Sequence, residues 1–246
     1  MASTGIPKEP KLYGSSEFIK GNVRWCLWLD TDNARNTVES IPDIKRRIGN
    51  VKKFREQSKD SGTKKLAEKP HQFREMREAV RELLLISRVS SERRAYIPMG
   101  ILDKQCVVAD AQVIYDPPTW IFSVVSSRMH MTWVRAVAGR LETRIRYSSS
   151  LCYNTFPFPD ISAKQKEKLE EHVFAVLDER EKHPEKTMAQ LYDPDKMPAG
   201  LRQAHHDMDI AIEQCYRAKP FSSDEERLEY LFTLYEAMIA AEKKRG

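Results

Sequence analysis

The sequence predicts an α+β fold: a mixed strand-and-helix domain over residues 1–160 followed by a small all-helical bundle over 161–246. Three observations predict it. Up to about residue 160, short β-branched runs such as CVVADAQVIY and WIFSVVSS alternate with amphipathic stretches. After FPFPD the strand signals stop and three long amphipathic segments follow. The charge changes near the same point. Residues 1–160 hold 27 Lys and Arg against 18 Asp and Glu (+9), and residues 161–246 hold 14 against 18 (−4).

In the first part, EFIKGNVRWCLWL (Glu17 to Leu29) reads as one or two strands near a core. Ile44, Ile48, Val51 and Phe54 recur at helical spacing behind Pro42, which predicts a leading helix with a basic surround. SKDSGTKKLAEKP is polar and loop-like, and HQFREMREAVRELLLISRV drifts from helical to extended character. Pro98–Gly100 marks a turn. CVVADAQVIY and WIFSVVSS read as strands joined at DPPT, and Met129, Trp133, Ala136 and Val137 predict a helix stopped by Gly139. In the second part the helices are expected over about 163–181, 199–216 and 223–241. The last carries the stripe Leu228, Leu231, Phe232, Tyr235 and Met238, with Asp224, Glu225 and Glu226 in its first turn, where the helix dipole favours acids.

With 41% hydrophobic and 31% charged residues the composition is that of a globular chain. No apolar run approaches the roughly 18 to 20 residues of a membrane span, so no membrane is expected as a partner. Cys26, Cys106, Cys152 and Cys215 are widely spaced without a C-x-x-C, which predicts reduced thiols in a cytoplasmic protein and neither a zinc site nor a disulfide framework. The net charge of +5, concentrated in the first part, fits a polyanion or an acidic protein partner.

Most apparent catalytic constellations have simpler explanations. DPPTW (Asp116–Trp120) resembles the Asp/Asn-Pro-Pro-aromatic loop of amino-methyltransferases, but Thr119 stands at the aromatic position and no glycine-rich turn precedes it, so a turn is expected. His205, His206 and Asp209 are expected on a solvated helix surface, and His130 is expected to be structural. GRLETRIRYSSS (Gly139–Ser150) is more informative. If Leu141 to Tyr147 is one strand, Leu141, Thr143, Ile145 and Tyr147 share one face and Glu142, Arg144 and Arg146 the other. Such a charged row fits exposed ion pairs, or it fits base reading, in which Glu accepts from cytosine N4 and Arg donates bidentately to guanine. Spacing alone leaves both open. Arg128, Arg135, Arg140 and Ser148 around the row are candidates for holding phosphates.

Four motifs in order, SSERRAYIP (90–98), SSRMHMTWVRAVAGRLETRIRYSSSLCYNTFPFP (126–159), LYDPDKMPAGLRQAHHDMD (191–209) and DEERLEYLFTLYE (224–236), resemble the C-terminal part of the MmeI-type single-chain restriction–modification proteins and their methyltransferase-only relatives. GSSEFIKGNVRWCLWL and SKDSGTKKLAEKP fit the same family, so the resemblance covers nearly the whole chain. It implies a target-recognition domain, a C-terminal helical domain, and double-stranded DNA as partner. In that family these domains follow an adenine-N6 methyltransferase that uses S-adenosylmethionine, and an endonuclease that uses magnesium. None of those upstream motifs is present here, so this chain is expected to hold no cofactor and to have no catalytic residue. Its partners would be duplex DNA and the methyltransferase domain of a longer parent. By the resemblance, Glu142 and Arg144 together choose one base pair, and relatives with KSD in place of ETR would invert its polarity. Arg146 and the turn at Asp110–Ala111 would serve a neighbouring position, although relatives commonly carry Ser-Asn near Ala109–Asp110. Arg93 and Arg94 join Arg128, Arg135, Arg140 and Ser148 as expected backbone contacts. The competing expectation is a protein-interaction module with a basic face.

Overall fold

The computed structural model describes residues 9–30, 36 and 40–245. In chain order its elements are β1 (Lys11–Tyr13), α1 (Ser15–Lys20), β2 (Arg24–Trp25), α2 (Pro42–Glu56), α3 (Ser61–Lys65), β3 (Glu82–Ile86), β4 (Val89–Ser90), β5 (Met99–Asp103), β6 (Val107–Val108) and β7 (Gln112–Tyr115). They continue with α4 (Trp120–Val125), α5 (Arg128–Val137), β8 (Gly139–Leu141), β9 (Arg144–Arg146), α6 (Ala163–Glu181), α7 (Met188–Leu191), α8 (Ala199–Tyr216) and α9 (Asp224–Arg245). By packing, the chain forms two units, one of residues 1–12, 23–79 and 105–107, the other of 13–22, 80–104 and 108–246.

In the first unit β1 and β2 pair antiparallel, Lys11 opposite Trp25. Ile44 and Ile48, one turn apart on α2, pack with Leu27 on buried Leu29. The guanidinium of Arg55 then ties the end of α2 to the following segment, donating to the carbonyls of Leu66, Lys69 and Gln72 at 2.7–2.9 Å. SKDSGTKKLAEKP, expected as a loop, contains α3, because Asp60 caps it by accepting the Thr63 N–H at 2.7 Å.

The second unit is built on the antiparallel sheet β5-β3-β7, with Leu84 opposite both Ile101 and Ile114. Leu83, Leu84, Leu85 and Ile86 of β3 are all buried, so both faces of this strand are covered. The DPPT turn holds, and Asp116 is its anchor. In a left-handed conformation (φ 52°) it accepts the N–H groups of Val80 and Arg81 at 2.9 and 2.7 Å, which fixes the entry into β3.

Two predicted strands are helices. EFIK completes α1, where the Glu17 carboxylate turns back to accept the Gly14 N–H at 3.0 Å. WIFSVV forms α4, with Phe122, Ser123, Val124 and Val125 all buried. An apolar run enclosed on every side carries no periodicity to separate helix from strand. The three long helices of the last part fall where expected. They do not build a separate core: Val173 and Val176 of α6 and Leu201 and Met208 of α8 belong to one buried cluster with Leu84, Ile86, Met99 and Phe122.

The expectation of a solvated His205–Asp209 face is wrong. His205 is fully buried, stacked on Tyr96 at 4.1 Å, with its Nε2 2.8 Å from the Tyr192 hydroxyl. Asp209, also buried, accepts the Tyr96 hydroxyl at 2.6 Å and the Arg128 N–H at 2.7 Å. Glu213, one turn on, pairs with buried Arg227 at 2.7 Å. His205 Nε2, Asp209 and Glu213 each meet a partner outside their own helix, the condition for burying them, whereas Nδ1 of His205 has none among the described residues.

Burial also fixes protonation states in this unit. Loss of hydration pulls the His130 imidazole down to about 3 and that of His205 well below its usual value. The same cause pushes Asp209 up to about 7, against the hydrogen bonds from Tyr96 and Arg128. Below the ordinary histidine value of 6.5 the unfolded chain thus takes up protons on both histidines that burial resists in the folded chain, while the folded chain already holds one on Asp209. The resulting excess of protons in the unfolded state lowers stability on acidification. Urea-unfolding free energies should therefore fall from about pH 6 to about pH 5, and Asp209→Asn, which removes the proton that the folded chain holds, should steepen that fall. A stability that is flat or rises on acidification would contradict the assignment.

Candidate nucleic-acid interface

The segment Leu141–Tyr147 is not one strand. It spans the end of β8, the turn and β9 of a hairpin, in which β8 and β9 pair with Gly139 opposite Arg146, Arg140 opposite Ile145 and Leu141 opposite Arg144. Glu142 and Thr143 are the two-residue loop, and Glu142 takes the left-handed φ (58°) that opens the turn. Leu141, expected in the core, is accordingly exposed, across from Arg144.

From Arg144 onward the expected alternation is present. Ile145 and Tyr147 are each 1% exposed, whereas Arg144 and Arg146 point out. β4 closes the sheet on the other side of β9, with Val89 opposite Arg146 and Ser90 opposite Ile145, and the Tyr147 N–H extends the ladder to the Arg88 carbonyl at 2.8 Å. The Tyr147 hydroxyl lies 3.0 Å from Nε2 of His130, which the core keeps uncharged. His130 is therefore structural, as expected: it fixes the residue next to the outward Arg146.

Glu142 reaches the outer face from the turn, and its carboxylate lies 2.7 Å from the Arg144 guanidinium. Both side chains are largely exposed, so this pair is worth roughly 0–1 kcal/mol and opens easily. Arg146 has no ion-pair partner among the described residues. Its neighbour across the strand is Gly139, beside which a side chain would meet nothing within 4 Å, so one flank of Arg146 is bare.

Asp110 forms a second pair of the same kind, which the sequence did not reveal. It too is left-handed (φ 58°), and its carboxylate lies 3.0 Å from the Arg88 guanidinium. The Ser15 hydroxyl donates to the Asp110 carbonyl at 2.8 Å and accepts the Arg88 N–H at 2.9 Å, locking the two backbones together. Arg88 immediately precedes Val89, the cross-strand neighbour of Arg146, so both acid–arginine pairs belong to one small sheet and its borders. Arg88 carried no sequence signal, because its partner lies 22 residues away.

The expected phosphate contacts are internally engaged. Arg93 pairs with Asp195 at 2.7 Å and Arg128 with Asp224 at 2.7 Å. Arg135 lies 3.9 Å from the same Asp224 and donates to the Arg94 carbonyl at 3.1 Å, while Arg140 donates to the Arg135 carbonyl at 3.0 Å. Arg94 is half-buried with its guanidinium 3.4 Å from the Ser90 hydroxyl, and the Ser148 hydroxyl caps the next turn by accepting the Leu151 N–H at 3.4 Å. Asp116, the acid of DPPTW, spends its carboxylate on backbone N–H groups.

With this geometry in place, comparison with known proteins is informative. The chain is 46% identical over 234 residues to DNA methyltransferase A of Bacillus subtilis (strain 168), an alignment that covers 95% of this chain and 26% of that protein. It also matches the solved structure of the Type IIL restriction-modification enzyme MmeI in complex with DNA, with a TM-score of 0.88 and 37% identity, over 94% of this chain and 31% of that one. The chain thus spans between a quarter and a third of the length of these relatives. The family description "MmeI, target recognition domain" matches residues 9–160, and "MmeI, C-terminal domain" matches residues 161–241. The hairpin and both acid–arginine pairs lie inside the first match, and the chain belongs to the MmeI family.

Proposed function

We propose that this chain is the sequence-reading module of a restriction–modification DNA methyltransferase, and that it recognises double-stranded DNA through the outer face of the β4-β9-β8 sheet. Residues 1–160 would act as the target-recognition domain and 161–246 as the helical domain that braces it. The chemistry of the parent, S-adenosylmethionine-dependent adenine methylation, and any magnesium-dependent cleavage, would reside in chain beyond this segment, where the flipped adenine is also held.

One observation carries the reading. A strand pinned on its inner side by Ile145 and Tyr147 presents Arg144 and Arg146 outward, with Glu142 already 2.7 Å from Arg144. In the major groove a C·G pair offers the cytosine N4 donor beside the guanine O6 and N7 acceptors. Glu142 and Arg144, side by side, can meet both halves of that pair. Opening or stretching the ion pair costs at most about 1 kcal/mol, while a good bidentate base contact discriminates by ~1–3 kcal/mol. The magnitudes therefore favour DNA over the pair's own contact once a matching base pair is presented.

Arg146, with Asp110 and Arg88 beside it, serves a neighbouring base pair in the same way. Arg93, Arg94, Arg128, Arg135, Arg140 and Ser148 would position the backbone. Their contacts to Asp195, Asp224 and main-chain carbonyls would exchange for phosphates on binding.

Selection from random duplex pools tests the assignment. Glu142→Lys with Arg144→Asp reverses donor and acceptor and should exchange C·G for G·C at one position of the enriched site; an unaltered site would make the pair purely structural. Arg88→Gln should relax preference at a different position by about 1–3 kcal/mol without disturbing the first. Loss of preference at the same position as the double variant would contradict two separate reading pairs.

A further inference from the structure

We propose that the exposed face of α2 bearing Lys45, Arg46, Lys52 and Lys53 is a second DNA-contact surface, which grips backbone phosphates without reading sequence. This rests on the reading of the chain as a DNA-recognition module, but on a different unit and different residues. The unit of residues 1–12, 23–79 and 105–107 holds 16 Lys and Arg against 10 Asp and Glu (+6), more than the +5 of the whole chain. The positive charge of the molecule is thus concentrated there, and not in the unit that carries the hairpin.

Helix α2 sorts that charge by face. Ile44 and Ile48 pack on Leu27 and Leu29, and Arg55, on the same side, is consumed by three carbonyls. At 100° per residue, Arg46 and Lys53 lie opposite them and Lys45 and Lys52 on the adjoining flank, forming two basic pairs seven residues apart, about 10.5 Å along the axis. All four are exposed. Gly49 sits between the pairs with nothing within 4 Å of where a Cβ would be, so the middle of the basic face is low and open to the approach of a backbone.

The acids of this helix do not neutralise the face. Asp43 meets Arg46 at 2.9 Å and Glu56 meets Lys52 at 3.9 Å, both as exposed pairs worth roughly 0–1 kcal/mol. Four exposed cations around an open centre match a row of phosphates, whose neutralisation releases condensed counterions. The Asp43–Arg46 and Glu56–Lys52 pairs join exposed side chains within one helix and are not set at a strand turn as in the hairpin, so the contribution of the face is affinity and salt dependence rather than choice of sequence.

The test uses the full chain with Lys45, Arg46, Lys52 and Lys53 all changed to Gln, folding being verified by circular dichroism. Binding to random-sequence duplex is measured from about 50 to about 200 mM salt, and the preferred site is selected in parallel. The slope of log affinity against log salt should become shallower by about 2 to 4 and affinity at the lowest salt should fall at least about tenfold, with the selected site unchanged. An unchanged slope and affinity overturn the inference. A variant that loses its preferred site together with its slope overturns the claim that the grip is sequence-independent. If the unaltered chain selects no site but the α2 variant still loses slope, base reading by the hairpin fails and this inference stands. No DNA binding by the unaltered chain overturns both.

Discussion

Burial of Ile145 and Tyr147 on the inner side of β9 is the constraint from which the rest of the interface follows. Side chains alternate along a strand, so two anchored residues oblige Arg144 and Arg146 to face outward. A slip of one residue would turn both guanidinium groups into the core, where an unpaired charge costs several kcal/mol. The register is thus held by the same energy that folds the unit. The Tyr147 hydroxyl against neutral His130, and the ladder to Ser90 and Arg88, fix it at atomic detail. The helices after residue 161 take part in this constraint. Val173, Val176, Leu201 and Met208 share one buried cluster with Ile145 and Tyr147, so the helical region and β9 draw on the same core.

The acids on the outer face stand in an unusual conformation. Glu142 and Asp110 both have φ of 58°, where a residue with a Cβ gives up roughly 1–2 kcal/mol relative to its preferred regions. Each sits at a chain reversal and places a carboxylate on an arginine, at 2.7 and 3.0 Å. Surface ion pairs of this kind do not repay such strain. Such geometry at both places is what the proposed reading requires, in which acceptor and donor are set side by side before a base pair is met.

Much of this was legible in the sequence, for physical reasons that differ by element. The helices 163–181 and 199–216 were readable because one face of each is apolar and the other solvated, the condition under which periodicity reports structure. WIFSVV was misread because it is enclosed on all sides. The ETR turn was missed because neither glycine nor asparagine marks it; Glu142 occupies the left-handed position that those residues usually fill. His205 and Asp209 looked solvated because Tyr96, Tyr192 and Arg128, which make their burial tolerable, are not their neighbours in the chain. Arg88 was invisible for the same reason. The row Arg144–Arg146 was legible because strand alternation is local, whereas its pairing with β8 and β4 is not.

The central claim, that the outer face of β9 reads bases, is tested most directly by measuring the affinity of Arg144→Ala for duplexes that differ in one base pair at a time across the preferred site. The account predicts that discrimination collapses by ~1–3 kcal/mol at a single position and persists at the others. Uniform weakening across all duplexes, with discrimination intact everywhere, would make Arg144 a phosphate contact and contradict it.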